Sequence, residues 1–318
     1  MFADFIGNNK VLDELERNIE TDDISHAYLF TGNEGVGKFT VAKEVARRIL
    51  CNNSSGSCLE ADEFFHPDLM IIRAENGSIK KSDIDEMIAD SYKKPFVAEN
   101  KVYIIDGFDF VTVSGQNALL KTLEEPQEYL RIILLSNNIK KILPTIISRS
   151  RIIKFKDISE NEIVDFLHEN IGTGIDNARL FARISGGSVK KALDYSRNPS
   201  NVSLREEAVA LFDRLVNGTS SYPFKEFEFF NENKERLKDI FNIFLSLLRD
   251  ITFLNLGFSE DVIINIDKIN LLKRQNINND QALYIKDSIM KVIRLLEMNT
   301  NFQLTVEEFL INIGGVKW

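Results

Sequence analysis

The chain has 318 residues, of which 44% are hydrophobic and 27% are charged, and its formal net charge is −9 at pH 7. This length suggests two or three domains, and the composition is that of an ordinary soluble globular protein with a sizeable core. The acidic balance argues against a protein that binds nucleic acid by itself, because phosphate contacts need clustered Lys and Arg.

The sequence indicates neither secretion nor membrane insertion. Its two cysteines, Cys51 and Cys58, are too few for a secreted disulfide framework in a chain of this length. No basic region followed by an apolar run opens the sequence, so we expect no signal peptide. Arg249 and Asp250 interrupt the longest apolar stretch, residues 240–258, which predicts a buried helix rather than a membrane span. We therefore expect a cytoplasmic protein.

The first half alternates short apolar runs with helical patterns. The runs are rich in Ile, Val, Leu and aromatic residues and are bounded by polar residues, as in strands that are buried on both faces of a parallel sheet. They are Ala27–Thr31, Leu69–Ile72, Val102–Ile105, Ile132–Leu135 and Ile152–Phe155. Between the first two runs, residues 38–50 place apolar side chains on one helical face. The alternation predicts an α/β domain with a five-stranded parallel sheet.

Helical patterns replace the strand patterns after the fifth run. Ser159 and Glu162 form a capping box in front of an apolar helical segment. Residues 176–184 and 188–195 predict two further short helices, with a pair of glycines between them. This part of the chain therefore reads as a small helical domain.

Residues 197–201 contain Asn, Pro and Ser and predict a linker. The pattern beyond them is helical to the end of the sequence. The predicted organisation is an α/β domain at residues 1–157, a small helical domain at residues 158–199 and an all-helical domain at residues 200–318.

Residues 32–38, Gly-Asn-Glu-Gly-Val-Gly-Lys, match the pattern G-x-x-x-x-G-K directly after the first predicted strand and at the start of a helix. Glycines in such a loop let backbone N–H groups surround phosphates, the helix N-terminus adds positive potential, and the lysine neutralises charge. We therefore predict a P-loop whose phosphate-binding residues are Gly32, Gly35, Gly37 and Lys38.

Two groups that metal-dependent hydrolysis needs are missing. The residue after the P-loop lysine should be Ser or Thr, but it is Phe39, and Thr40 follows about 100° further around the helix. Asp106 ends a strand of the Walker B type, yet the acid expected next to it is Gly107, which leaves Asp109 as the one candidate substitute. We predict a degenerate site that keeps nucleotide-binding positions, including Thr40 and Asp106, without hydrolysing ATP. Whether it holds ATP or ADP stays open.

Four segments resemble subunits of the bacterial DNA polymerase III clamp loader, which belong to the AAA+ proteins. They are residues 25–30 (Ser-His-Ala-Tyr-Leu-Phe), 66–68 (His-Pro-Asp), 116–126 (Gln-Asn-Ala-Leu-Leu-Lys-Thr-Leu-Glu-Glu-Pro) and 143–150 (Leu-Pro-Thr-Ile-Ile-Ser-Arg-Ser). The resemblance is strong over about residues 4–156 and weakens towards residue 195. It implies an AAA+ domain, a helical lid and a helical collar that joins five subunits in a ring. Within the family the tau/gamma subunits hydrolyse ATP and the delta-prime type usually does not, so Phe39 and Gly107 place this chain with the latter.

The resemblance also implies roles for particular residues. Arg149 matches the arginine of the family's Ser-Arg-Cys motif, which reaches across a subunit interface to the neighbour's ATP as an arginine finger. Ser150 replaces the family's Cys and leaves that charge in place. Lys190 stands where active subunits have a sensor Arg, and it lacks the bidentate fork of that side chain. Some polar residues of the third segment are not needed to pack a helix against the sheet, and the resemblance implies subunit-interface and DNA-side roles for them. They are Gln116, Asn117, Lys121, Glu124 and Glu125.

Subunits of this family often carry a four-cysteine zinc module after the P-loop helix. This chain keeps Cys51 and Cys58, but Ala61 and Phe64 occupy the other two positions. Two thiolates cannot close a structural zinc site, and His66, next to a proline, reads as a turn residue. We therefore expect no zinc.

The partners that the resemblance implies are the tau/gamma and delta subunits, with the sliding clamp and primer–template DNA reached through the complex and no membrane partner. Two alternatives stay open at this point. One is an active ATPase of the tau/gamma type, in which Thr40 or Asp109 would have replaced the missing groups. The other is a different P-loop protein, such as a helicase loader or a nucleotide kinase. The Leu-Glu-Glu-Pro and Ser-Arg-Ser segments have no place in a kinase.

Overall fold

A computed structural model describes residues 5–51, 65–74, 78–217, 226–298 and 300–314. The chain divides into two compact units. The first comprises Met1–Gly172 with Ser185–Lys191, and the second comprises Thr173–Ile184 with Ala192–Trp318. The predicted domain boundaries at residues 157 and 199 stay a prediction.

The first unit is built on a five-stranded parallel sheet. Its strands are β1 (Ala27–Thr31), β2 (Leu69–Arg73), β3 (Lys101–Asp106), β4 (Leu130–Ser136) and β5 (Arg151–Lys154). All five predicted strands are confirmed, in the order β2-β3-β4-β1-β5. The three inner strands are buried almost throughout, as their unbroken apolar runs indicate, whereas β2 and β5 are the partly exposed edges.

Helices cover both faces of this sheet. They are α1 (Asn9–Glu20), α2 (Lys38–Cys51), α3 (Lys81–Ser91), α4 (Val113–Glu124) and α5 (Pro144–Ile147). A further helix, α6 (Glu160–Asp165), follows β5 in the chain. Alternate residues of β1 face opposite layers: Tyr28 and Phe30 pack with α1 and α2, whereas Ala27 and Leu29 pack with α3, α4 and α5. The sheet therefore separates two apolar cores within the unit.

Strand order brings three loops together at one edge of the sheet. β1 lies between β4 and β5, and β3 lies on the other side of β4. Because all five strands run in the same direction, the segments that follow β1, β3 and β4 emerge side by side. In open α/β sheets this carboxyl edge is where ligands bind.

The helical part of the chain follows β5. Its helices are α7 (Ile175–Ser185), α8 (Val189–Arg197), α9 (Pro199–Val216), α10 (Phe227–Glu232), α11 (Leu237–Asn255), α12 (Ile269–Lys273), α13 (Asn279–Glu297) and α14 (Phe302–Gly314). The α/β sheet followed by helices confirms the predicted fold class. Both bonds of the predicted capping box are present at α6, where Ser159 Oγ accepts the N–H of Glu162 and the Glu162 carboxylate accepts the N–H of Ser159.

The predicted linker at residues 197–201 is wrong. Helix α8 ends at Arg197 and α9 begins at Pro199, so only Asn198 separates them. The Asn198 side chain accepts the backbone N–H of Ser200, 3.1 Å away, and thereby caps α9. Asn and Pro resemble linker residues in the sequence, but here they are the N-cap and the first residue of a helix.

An aromatic cluster fills the core of the second unit. Phe230, Phe241, Phe244 and Phe309 are fully buried and contact one another edge to face or stacked, with centroids 5.3 to 6.5 Å apart. Helix α11 contributes two of these rings, which confirms that residues 240–255 of the long apolar stretch are a buried helix. Within the described ranges, no helix is long and apolar enough to cross a membrane.

A buried polar network lies beside that core. The Asp250 carboxylate is fully buried and accepts the backbone N–H groups of Ile264 and Asn265 as well as a contact from Arg249. The Asn265 side chain donates to Asp250 at 2.9 Å and accepts from Arg205, which in turn pairs with Asp267 through two bonds of 2.8 Å. Asp250 interrupts the apolar pattern of α11 because it fixes the loop that follows the helix.

Replacing Asp250 with Ala is therefore expected to lower the free energy of unfolding by about 3 kcal/mol, since two backbone N–H groups and one amide lose a buried acceptor. Chemical denaturation followed by circular dichroism measures the change. Asp287→Ala, an exposed substitution on α13, is the matched control and is expected to change little. Equal effects of the two substitutions would contradict this role of Asp250.

Candidate functional site

The P-loop connects β1 to α2 at the carboxyl edge of the sheet. Gly32, Gly35 and Gly37 have φ values of 153°, 81° and 93°. The Lys38 side chain turns back under the loop, where Nζ donates to the carbonyl oxygens of Gly32 and Asn33, both at 2.7 Å, and to Asn137 Oδ1 at 2.8 Å. The loop thus has the glycine backbone and the lysine that phosphate binding requires.

Lys38 is almost fully buried, and this burial changes the pKa of its ammonium group. Burial lowers the pKa of Lys38 to about 8, while the carboxylates of Asp106 and Asp109 oppose the decrease. The ammonium group therefore remains the main form at neutral pH. Its three acceptors come from the P-loop itself and from the residue after β4, so it joins two of the neighbouring strand ends.

Beside Asp106, where a P-loop protein would hold its metal ion, this chain has an aromatic ring and a guanidinium. The Phe39 ring is partly buried, and the Arg73 guanidinium lies over it, 4.1 Å from the ring centroid. Arg73 Nε is also 3.6 Å from the carboxylate of Asp106. Burial raises the pKa of Asp106, and Arg73, ahead of Lys38, opposes that rise. Thr40 is exposed to solvent.

The residue after Asp106 has a backbone conformation that suits glycine. Gly107 has a φ of 84°, and a Cβ placed on it would lie 3.0 Å from the ring of Phe110. The candidate substitute, Asp109, is buried, and its Oδ1 accepts the backbone N–H of Asn137 at 3.0 Å. Its carboxylate therefore holds the loop after β4 in place.

Two segments from beyond β5, one at Asp157 and one at residues 188–190, lie against the P-loop. The Asn33 side chain donates to the carboxylate of Asp157, and the backbone N–H of Lys190 donates to the carbonyl of Gly35 at 3.3 Å. A Cβ at Gly35 would lie 2.0 Å from Ser188 Oγ, so only glycine fits beneath residues 188–190. The Lys190 ammonium lies 3.6 Å from the Glu34 carboxylate. Lys190, which the family resemblance places at a sensor position, therefore lies beside the P-loop.

These residues suit a phosphate group better than a metal–nucleotide complex. Mg²⁺ takes oxygen ligands in a near-octahedral arrangement. Here a phenyl ring stands in place of the hydroxyl ligand, and a guanidinium faces the carboxylate that would hold the metal's water. The metal corner of the site does not fit Mg²⁺, whereas the P-loop backbone and Lys38 are intact.

Arg149 lies at the opposite edge of the sheet. It follows α5 and precedes β5, so it sits near the amino end of that strand. Its Nη2 is 2.6 Å from the carboxylate of Glu124 at the end of α4, and its Nη1 donates to the carbonyl of Thr145 at 3.0 Å. Its side chain is about one-third exposed, at 34%. The structure thus brings together Lys38, Asp106 and the P-loop glycines, but not Arg149.

One polar residue of the 116–126 segment has a structural role that the sequence interpretation denied it. Gln116 is buried; its Nε2 donates to the carbonyls of Val111 and Lys141, and its Oε1 accepts the N–H of Leu143. The interpretation that this polar side chain is not needed for packing is wrong, because it satisfies three backbone groups in the segments that precede α4 and α5. Glu124 pairs with Arg149, and the other three polar residues of the segment are exposed.

Sequence reasoning missed two residues of the site, Asn137 and Arg73. Both follow from strand order: Asn137 comes directly after β4, the neighbour of β1, and Arg73 ends β2, the neighbour of β3. A polar residue directly after a buried strand was the available signal for Asn137. Arg73 gave no such signal, because the pairing of β2 with β3 is needed to place it beside Asp106.

The zinc prediction falls mostly outside the described residues, which exclude Cys58, Ala61 and Phe64. Cys51 ends α2 and is partly buried. His66 is buried, and its Nδ1 accepts the backbone N–H of Asp68 at 3.1 Å, which is the bonding of a turn residue. The absence of zinc stays a prediction.

Comparisons with known proteins agree with the clamp-loader resemblance. A DNA polymerase III subunit delta' from Bacillus subtilis is 28% identical over 95% of this chain and 94% of its own length. A tau/gamma subunit from Haemophilus influenzae is 32% identical over 68% of this chain, which spans about a third (32%) of that relative. The crystal structure of a gamma subunit-related protein from Thermotoga maritima covers 95% of this chain and 98% of its own, with 22% identity and a TM-score of 0.48.

Two family models match in succession along the sequence. One, described as DNA polymerase III, delta subunit, matches residues 7–159, and the other, described as DNA polymerase III, delta subunit, C terminal, matches residues 201–314. The first match contains the whole parallel sheet with its P-loop, and the second contains most of the all-helical core. Because the two matches together span most of the sequence, the chain belongs to the DNA polymerase III delta-subunit family.

Proposed function

We propose that this chain is a delta-prime-type subunit of the clamp loader that does not hydrolyse ATP and that supplies Arg149 to the ATP site of a neighbouring subunit. The observation that carries the proposal is the position of Arg149 at the amino edge of the sheet, away from the chain's own P-loop. Family membership and similarity to a delta' subunit over 95% of the chain support the assignment.

The distance between the two edges favours action on another subunit. Strand β1 has five residues and spans about 15 Å at roughly 3.3 Å per residue, which exceeds the reach of one arginine side chain. A guanidinium at this edge stabilises γ-phosphate charge only in a nucleotide that a second subunit presents. The ion pair with Glu124 and the bond to Thr145 hold Arg149 at the surface, which reduces the conformational entropy lost on docking.

The chain's own site supports a non-hydrolysing role on three counts. Phe39 offers no oxygen to a metal ion, Gly107 offers no base to a water molecule, and Asp109 is bonded to the backbone of Asn137. The P-loop glycines and Lys38 keep the sequence pattern and the glycine backbone that surround a phosphate. ATP or ADP bound without turnover is therefore part of the proposal, with Gly32 and the other P-loop glycines around the phosphates.

The proposed partners are the tau/gamma and delta subunits, and the sliding clamp and primer–template DNA are reached through the complex. The net charge of −9 supports this division of labour, since an acidic chain gains little from phosphate contacts of its own. We further propose that residues 1–157, 158–199 and 200–318 act as AAA+ domain, lid and collar, and that the protein works in the cytoplasm.

Replacing Arg149 with Ala is expected to remove the turnover of one ATP site in the assembled complex. Loss of an arginine finger slows hydrolysis by about 10³-fold or more, so the burst of phosphate release should lack the contribution of that site. The measurement is a single-turnover phosphate assay with tau/gamma, delta, the sliding clamp and primed DNA. Arg149→Lys is expected to rescue little, because Lys lacks the planar fork.

Lys154→Ala, which removes an exposed cation from β5, is the matched control and should leave the burst unchanged. Full DNA-dependent ATPase and clamp-loading rates in the Arg149→Ala complex would contradict the proposed role. Loss of assembly in that variant, detected by gel filtration, would assign Arg149 to the interface rather than to the ATP site.

Gly107→Glu restores an acid beside Asp106 in sequence but is expected to give no ATP turnover. The backbone at φ 84° disfavours a side chain by about 1–2 kcal/mol, and the added Cβ meets the Phe110 ring. The free energy of unfolding should fall further than in Gly172→Glu, a control with φ 78° and open space around its Cβ. Hydrolysis by Gly107→Glu would show that only the missing acid silences the site.

A further inference from the structure

Arg73 and Asp106 are placed side by side by the sheet itself. They are register partners in the parallel pair of β2 and β3, and each is the last residue of its strand, so both lie at the carboxyl edge. Partners in register project from the same face of a sheet. Leu69 and Val102, earlier in the same two strands, lie in the core that faces α2, and alternation along each strand brings Arg73 and Asp106 to that face as well.

Phe39 supplies the third side of this corner. It is the second residue of α2, at the position where the P-loop pattern has a metal-binding hydroxyl. Its ring lies under the Arg73 guanidinium at 4.1 Å, a distance at which the ring's negative face attracts a cation. The residue that removes a metal ligand therefore also provides a platform for a fixed positive charge.

The charges around Asp106 also favour a resident cation over a metal ion. Asp106 is the carboxylate whose pKa burial raises, and Arg73 is the first of the cations that oppose this rise, followed by Lys38 and Lys190. A divalent ion near Asp106 would have to approach a guanidinium that is already 3.6 Å from the carboxylate. Like charges this close repel each other, so the guanidinium opposes a divalent ion at Asp106.

We propose that Arg73 is a resident cation that replaces the divalent metal beside Asp106, so that the site excludes Mg²⁺ even when a hydroxyl ligand is restored at position 39. If Phe39 had only replaced the Ser or Thr hydroxyl of the P-loop pattern, a weakened metal site would remain. The charge of Arg73 excludes the metal ion from that site as well. The inference deepens the non-hydrolysing part of the proposed function. Its test uses the chain alone, so a failure here leaves the role of Arg149 unaffected.

The test is a titration with Mn²⁺ alone, followed by electron paramagnetic resonance, on the full chain. Phe39→Ser is expected to bind Mn²⁺ no better than the unmodified chain, because Arg73 still holds Asp106. Phe39→Ser/Arg73→Ala should bind Mn²⁺ about tenfold or more tightly than Phe39→Ser, since a repelling charge is gone. Adding Asp106→Asn should remove the gain.

Phe39→Ser/Lys81→Ala is the charge-matched control, because Lys81 pairs with Asp85 on α3 as Arg73 pairs with Asp106. It should bind Mn²⁺ like Phe39→Ser. The Arg73 side chain is 58% exposed, so its replacement should leave the fold intact; a melting curve checks this, and Arg73→Met substitutes for Arg73→Ala if the curve shifts.

Three results would overturn the proposal. The first is equal Mn²⁺ affinity in Phe39→Ser and in the double variant with Arg73→Ala. The second is an equal gain in the Lys81 control, which would mean a general effect of net charge. The third is a gain that survives Asp106→Asn, which would place the ion elsewhere.

Discussion

The order of the five parallel strands is the constraint on which the arrangement of the first unit depends. Because β1 lies beside β4, Lys38 reaches Asn137, and because β3 lies beside β2, Asp106 faces Arg73. The shared strand direction sends the P-loop to one edge and Arg149 to the other. One backbone topology thus separates the P-loop from the guanidinium that we propose acts on the ATP of another subunit.

The chain's own P-loop site departs from a hydrolysing site at several positions, and these departures act in the same direction. The ring of Phe39 removes a ligand and at the same time supports a guanidinium, while Gly107 adopts a backbone angle that disfavours any side chain. Ser188 packs over Gly35, and Asp109 is bonded within the loop after β4. Under the proposed function, such a site is therefore more than one substitution away from one that hydrolyses ATP.

Much of the fold could be predicted from local sequence patterns. The unbroken apolar runs identify all five strands, and the capping box at Ser159 and Glu162 is present as its spacing indicates. The P-loop could be predicted because its glycines, lysine and flanking elements are contiguous in sequence. At residues 197–201 the same reasoning was wrong, because Asn and Pro serve equally well in a loop and at a helix start.

Contacts between segments that are distant in sequence could not be predicted. Three contacts depend on which strands and loops become neighbours: Arg73 with Asp106, Asn137 with Lys38, and Gln116 with the loop before α5. Asp250 is a similar case, since a charged residue in an apolar helix looks like an exposed position until its loop partners are known. The φ of Gly107 likewise needs the folded backbone.

The most direct measurement for the central claim is steady-state ATP turnover by the purified chain alone, with Mg²⁺ present and no partner subunit. We expect no phosphate release above the level of a Lys38→Ala variant. Turnover by the unmodified chain that disappears in Lys38→Ala would contradict it, because Thr40 or Asp109 would then have replaced the missing groups and the chain would be an active ATPase.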